Sequence, residues 1–78
     1  NYDMIVNVPD MIGWNIDEVV SIIKKNKLNN VLINYEFSEE KRDNAIEQSR
    51  SGEMKRSDEL AMKFSLGREE DLEPVKVL

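Results

Sequence analysis

The basic residues best placed to bind a ligand lie around one turn of the sequence. Arg50, Lys55 and Arg56 flank Gly52. A guanidinium fork at such a turn can hold the free carboxylate of a peptide through two parallel hydrogen bonds. We therefore predict a carboxylate contact at these three cations. Charged residues are also common in solvated turns, and that interpretation stays open beside the functional one.

Two aromatic residues, Tyr35 and Trp14, offer flat apolar surfaces on which a sugar ring can stack. Both stand where a strand or the approach to a helix is predicted, and aromatic side chains there often serve only to pack the core or a sheet edge. We predict Tyr35 and Trp14 as ligand contacts, with packing as the alternative.

The remaining polar residues predict neither catalysis nor metal binding. Cysteine and histidine are absent, which excludes disulfides, thiol nucleophiles, imidazole bases and the usual zinc ligands. Neighbouring carboxylates point in different directions along a helix or strand, and their spacing does not match a calcium loop. We interpret them as solvated charges and expect no catalytic residue, no metal and no cofactor; the pairs are Asp17 and Glu18, Glu39 and Glu40, and Glu69 and Glu70.

Length and charge narrow the possible partners. A chain of 78 residues builds one modest core and leaves little room for a buried cavity, and a net charge of −5 is the wrong sign for neutralising phosphates. We expect no nucleic-acid partner. No stretch approaches the roughly 20 apolar residues of a membrane helix, so we expect no membrane contact by this segment. Because the chain begins at Asn1, we expect it to be a piece of a longer protein that carries any targeting signal or anchor.

The periodicity of apolar residues predicts the elements that position these side chains. A strand over residues 4–8 ends at Pro9, and a helix begins at Ile16 after an Asn15 cap with Glu18 three residues on. Alternating patterns predict strands over residues 31–37, 45–49 and 60–66. Because the gaps between them are short, we predict antiparallel pairing. The predicted core is Ile16, Val19, Val20, Ile23, Ile33, Tyr35, Phe37, Leu60, Met62 and Phe64.

These elements predict an α+β fold in which one α-helix packs on a three-stranded antiparallel sheet, with a short N-terminal strand. The predicted domain covers residues 1–67. Residues 68–78 form an acidic linker whose end, with alternate valines at Val75 and Val77, resembles Val6 and Val8 before Pro9. We expect another copy of the unit to begin there; a frayed terminus is the alternative.

The order of these features resembles the PASTA domain, the extracellular repeat of bacterial penicillin-binding proteins and serine/threonine kinases. The resemblance rests on three segments around the capped helix, which are Val8-Pro9-Asp10-Met11-Ile12-Gly13, Ile46-x-Gln48-Ser49 followed by Gly52, and Ser65-x-Gly67. The family usually has Pro where this chain has Arg50, and Gly where it has Ser57. Both departures fall in predicted turns and bear on local geometry.

The resemblance implies a non-catalytic module on the extracellular face of a bacterial cell membrane, strung in series with neighbouring PASTA repeats. Its expected ligand is uncross-linked peptidoglycan, in the form of fragments called muropeptides. The expected parent is a serine/threonine kinase, because a further repeat is indicated and kinases of this type tend to carry longer arrays of repeats. A rigid spacer repeat and a C-terminal repeat of a penicillin-binding transpeptidase are the alternatives. The family motif fixes no binding residue.

Overall fold

Five strands and one α-helix follow one another along residues 4–71, the part of the chain that this computed structural model describes. The α+β class is confirmed. The segment predicted to begin another repeat, residues 75–78, lies outside the described residues. The elements are β1 (Ile5–Val8), α1 (Ile16–Lys25), β2 (Val31–Glu36), β3 (Ala45–Gln48), β4 (Gly52–Lys55), β5 (Leu60–Ser65) and a 3-10 turn (Glu69–Asp71).

The helix begins where the capping residues predict. The Asp17 backbone N–H donates to Asn15 Oδ1 at 2.9 Å, and the Asn15 N–H donates to Glu18 Oε1 at 3.2 Å. These bonds satisfy two amides that lack partners within the helix. Acidic residues in the first turn and Lys24 and Lys25 in the last complement the helix dipole.

The main sheet has the order β2-β5-β3 and is mixed. β5 lies at its centre, antiparallel to β3 and parallel to β2, with Val31 opposite Leu60 and Tyr35 opposite Phe64. The prediction of a fully antiparallel sheet was therefore wrong. Parallel strands need a long crossover, and residues 37–59 supply one because the chain forms β3 and β4 before it returns beside β2. The short gaps between predicted strands bear only on strands that are consecutive in sequence, and β2 and β5 are not consecutive.

A two-stranded antiparallel ribbon, β1 with β4, forms the second sheet. Gly52, which the sequence placed in a turn, opens β4 and pairs with Val8. The prediction missed β4 because Met54 is the only large apolar residue in this four-residue strand. Four residues give too short an alternation of apolar and polar side chains to predict a strand.

The core centres on β5, where Leu60, Met62 and Phe64 are fully buried as predicted. Val19 of α1 is also buried. Ile16 and Ile23 pack against the core while remaining partly exposed, and Val20 is half-buried. The core also includes residues outside the predicted set: Val8, Met11, Leu28, Ala45 and Met54.

The core assignment was wrong for β2 and the residue after it. Ile33, Tyr35 and Phe37 are 41%, 48% and 42% exposed. β2 is an edge strand, and a single helix about 10 Å across cannot cover three strands spaced about 4.8 Å apart together with their side chains. The covering layer lies over β5, and an apolar strip along β2 is left in contact with solvent.

Candidate functional site

Gln48 joins the two sequence motifs that surround the helix. Its Oε1 accepts the Met11 backbone N–H at 2.7 Å, and its Nε2 donates to the carbonyls of Pro9 at 2.9 Å and Arg50 at 2.7 Å. The loop before the helix is thereby fixed to the end of β3 and to the turn that follows. Gln48 is half-buried, and its partners account for its donors and acceptor, so its role is structural.

The basic turn is organised around Asp58. Arg50 Nη1 lies 3.2 Å from Asp58 Oδ2, and the same oxygen accepts the Lys55 backbone N–H at 3.0 Å. The Arg50 side chain and the Lys55 backbone therefore meet at the same carboxylate. The Arg50 side chain is 47% exposed and reachable by a ligand, but a carboxylate supplied by the chain already occupies part of its fork.

Arg56 is built into the fold more deeply than its two neighbours. Its backbone N–H donates to the Met4 carbonyl at 3.1 Å, and its own carbonyl accepts the Asn29 N–H at 3.2 Å. The guanidinium Nε is buried and has no hydrogen-bond partner within residues 4–71. Nε is therefore shielded from solvent, and a carboxylate cannot reach the Nε side of the fork in this conformation.

The two predicted aromatic contacts lie on different parts of the molecule. Tyr35 projects from β2, with its ring centroid 6.1 Å from that of buried Phe64 and the ring planes at 41°. Trp14 is half-buried against the core, and its carbonyl accepts the Ala45 N–H at 2.8 Å on the side of β3 away from β5. Two strand spacings, about 10 Å, separate β2 from β3, and the Trp14 backbone lies beyond β3.

An ion-pair network that the sequence did not predict lies on the sheet face opposite the core. Lys63 Nζ lies 3.1 Å from Glu36 Oε1 and 3.4 Å from Glu47 Oε2, so one cation bridges all three strands. These hydrogen bonds, first to Glu36 and then to Glu47, raise the pKa of Lys63 above its ordinary value. The alternation of β5 placed Lys63 on the outer face, but only the strand pairing shows its partners.

The segment before β3 borders two hollows beyond the last residues of β2 and β5. One hollow of about 260 Å³ is lined by Glu39, Glu40, Lys41, Arg42, Leu66, Gly67 and Arg68. The other, of about 210 Å³, is lined by Phe37, Ser38, Glu39, Arg68, Glu69 and Glu70. Each combines carboxylates with at least one guanidinium, so neither presents a single sign of charge.

The buried hydroxyl of Ser65 supports this end of the molecule. Ser65 Oγ donates to the Glu40 carbonyl at 2.8 Å and accepts the Gly67 N–H at 2.9 Å. Because its one proton is used there, the 2.6 Å contact between the Ser38 and Ser65 hydroxyls has Ser38 as donor. The Ser65-x-Gly67 pair thus fixes the segment that lines both hollows.

Residues 4–71 contain neither a metal-binding cluster nor a membrane-spanning helix. This part of the chain holds no group of three or more His, Cys, Asp or Glu residues arranged to bind a metal ion. None of its helices has the length and apolar character needed to cross a membrane.

A family model for the PASTA domain matches residues 6–60, more than half of the chain. The chain belongs to the PASTA family. Comparisons with curated proteins and with solved structures give no match. The PASTA match starts in β1 and ends at the first residue of β5, so it contains the Gln48 junction and the basic turn.

Membership of the PASTA family gives the general class of function. PASTA domains are non-catalytic binding domains, generally found in kinases and penicillin-binding proteins, and typically extracellular in bacterial membrane proteins. Peptidoglycan is their general ligand. The motif residues of this PASTA domain serve mainly to hold its backbone: Gln48 closes the junction, and Asp10 Oδ1 accepts the Ile12 N–H at 3.1 Å in the turn before the helix.

Proposed function

We propose that this PASTA domain is an extracellular repeat of a bacterial membrane serine/threonine kinase, and that it senses or localises to uncross-linked peptidoglycan. The family match over residues 6–60 carries the proposal. A kinase is preferred to a penicillin-binding transpeptidase because kinases of this type tend to carry longer arrays of repeats. The alternate valines of residues 75–78 resemble the start of a further repeat.

Within this function, the basic turn is our proposed contact for the carboxylate that ends a stem peptide. Arg50 is exposed and paired only at the surface, where such a pair contributes little, so a ligand carboxylate can displace Asp58 at small cost. Lys55 adds a second positive charge to this segment, and Arg56 follows it in the chain. Tyr35 and Trp14 are the proposed sugar contacts.

The competing proposal is a rigid spacer, and the positions of Met4 and Gly67 near the two ends of the described segment favour it. The Arg56 N–H donates to the carbonyl of Met4 next to the first residues of β2 and β5, whereas Ser38 N–H donates to the carbonyl of Gly67 beyond their last residues. Met4 and Gly67 therefore lie toward opposite ends of β5, about 17 Å apart. Repeats joined in this way extend a parent protein in one direction.

A backbone-amide NMR titration with a synthetic disaccharide-peptide that has a free carboxyl end distinguishes the two proposals. If the domain binds, the titration gives saturable chemical-shift changes. Arg50→Ala should lower the affinity more than Arg50→Lys does, because lysine keeps the positive charge and loses only the guanidinium fork. Lys25→Ala, at an exposed helix end, is the matched control for the loss of one positive charge. Spectra unchanged up to millimolar ligand would contradict binding and favour the spacer.

A further inference from the structure

The strip of exposed apolar side chains along β2 contains two aromatic rings. Tyr35 and Phe37 are 48% and 42% exposed, and the alternation of the strand, continued one residue past its end, places them on one face about 7 Å apart. In the described part of the chain no strand pairs with the outer edge of β2. Both rings are therefore accessible from the side and from above.

The Tyr35 ring has a buried aromatic neighbour on the same face of the sheet, because Tyr35 lies opposite Phe64 in the pairing of β2 with β5. Phe64 is fully buried, and its ring centroid lies 6.1 Å from that of Tyr35 in a tilted arrangement. The tyrosine ring thus neighbours the core on the side toward β5, while 48% of the residue is exposed. Tyrosine has only two side-chain torsion angles, so stacking a ligand on it costs little conformational entropy.

Phe37, the second of the two rings, borders a hollow whose polar groups suit hydroxyl partners. The hollow of about 210 Å³ begins at Phe37 and is lined by Ser38, Glu39, Arg68, Glu69 and Glu70. Carboxylates accept hydrogen bonds from hydroxyl groups, and a guanidinium donates them. Arg68 Nη1 lies 3.6 Å from Glu70 Oε1, so a cation and an anion stand together at the rim. A polyanion would be repelled by the three glutamates.

We propose that Tyr35 and Phe37, with the rim of this hollow, form a binding site for neutral saccharide units. Apolar faces of a sugar ring stack on the two aromatics, and its hydroxyls bond Glu39 and Arg68. The identity of the saccharide as the glycan of peptidoglycan rests on the function proposed above. Trp14 is not part of this site because it lies beyond β3; Phe37 supplies the second ring.

Chitotetraose, a neutral oligosaccharide without peptide or carboxylate, is the probe for this site. In an amide NMR titration of the 78-residue chain we expect saturable shifts at Tyr35, Phe37, Ser38 and Arg68. The double variant Tyr35→Ala, Phe37→Ala should bind at least about tenfold more weakly, a loss of about 1.4 kcal/mol. Leu32→Ala is the matched control, since Leu32 is 48% exposed on the opposite face of the same strand.

The outcomes separate this inference from the proposed function. Shifts with the disaccharide-peptide confined to residues 50–56, and none with chitotetraose, would overturn the saccharide site while the proposed function stands. Titrations with chitotetraose and with the disaccharide-peptide that both leave the chemical shifts unchanged would overturn the saccharide site and the proposed binding function together. A Leu32→Ala loss equal to that of the double variant would also overturn the site. All these variants change exposed residues, and retained amide dispersion in the unliganded spectra shows that they fold.

Discussion

The Oε1 atom of Gln48 accepts the backbone N–H of Met11 at 2.7 Å, although 37 positions separate the two residues in the chain. Met11 is fully buried, so its N–H has little access to water. The Gln48 amide also binds the carbonyls of Pro9 and Arg50. Two motifs that look independent in the sequence therefore form one hydrogen-bonded junction that holds the loop before the helix.

Replacement of Gln48 by Ala should lower the free energy of unfolding by about 2–3 kcal/mol. It removes three hydrogen bonds and leaves the buried Met11 N–H without its partner. Urea denaturation measures the effect. Ser51→Ala, in the exposed turn nearby, should change stability by less than about 0.5 kcal/mol. Equal stabilities of the two variants would contradict the junction.

The two phenylalanines should respond very differently to the same substitution. Phe64→Ala empties a fully buried position and should cost about 3–5 kcal/mol, which approaches the whole stability of a small domain. Phe37→Ala, at a 42% exposed position, should cost less than about 1 kcal/mol. Thermal unfolding followed by circular dichroism compares them, and a large loss for Phe37→Ala would show that the strip is packed.

The helix could be predicted because every signal for it is local. Asn15 and Glu18 lie three positions apart, and the apolar stripe from Ile16 to Ile23 follows the helical period. The pairing of β2 with β5 could not be predicted in the same way. Its direction depends on where residues 37–59 take the chain, and no short window of sequence contains that information.

The candidate site was predicted only in part, for a similar reason. The closeness of Arg50 and Lys55 follows from their proximity in sequence, and in the structure the Arg50 side chain and the Lys55 backbone N–H both bind Asp58. The exposure of Tyr35 does not follow, because alternation tells which residues share a face but not whether a helix covers that face. The hollows near Phe37 and Arg68 arise from distant segments that meet only in the fold.

Gly13 should tolerate asparagine better than alanine. Its φ is +90°, and a Cβ atom there would meet no other atom within 4 Å, so the cost of a side chain is conformational. Gly13→Ala should lose about 1–2 kcal/mol, and Gly13→Asn less, because asparagine visits the left-handed region more readily. Chemical denaturation of both variants tests the order. A loss for Asn that exceeds the loss for Ala would contradict this account.

The stability contributed by Lys63 should depend on pH in the alkaline range. Its pKa is raised in the folded chain, chiefly by the hydrogen bonds to Glu36 and Glu47, above an unfolded value of about 10.4. The charged lysine is thus favoured by folding. Its contribution is fully present below about pH 10 and is lost as the pH rises through the folded pKa.

Melting temperatures of the wild type and of Lys63→Met, measured between pH 7 and pH 12, test this dependence. The wild type should melt higher up to about pH 10, and the difference should shrink above it. Because the pairs are exposed, added salt should also reduce the difference. In a Glu36→Gln, Glu47→Gln background, Lys63→Met should have a much smaller effect, since the partners that raise the pKa are gone. A wild-type advantage that persists unchanged at pH 12 would show that Lys63 stabilises the sheet by packing of its alkyl chain and not by charge.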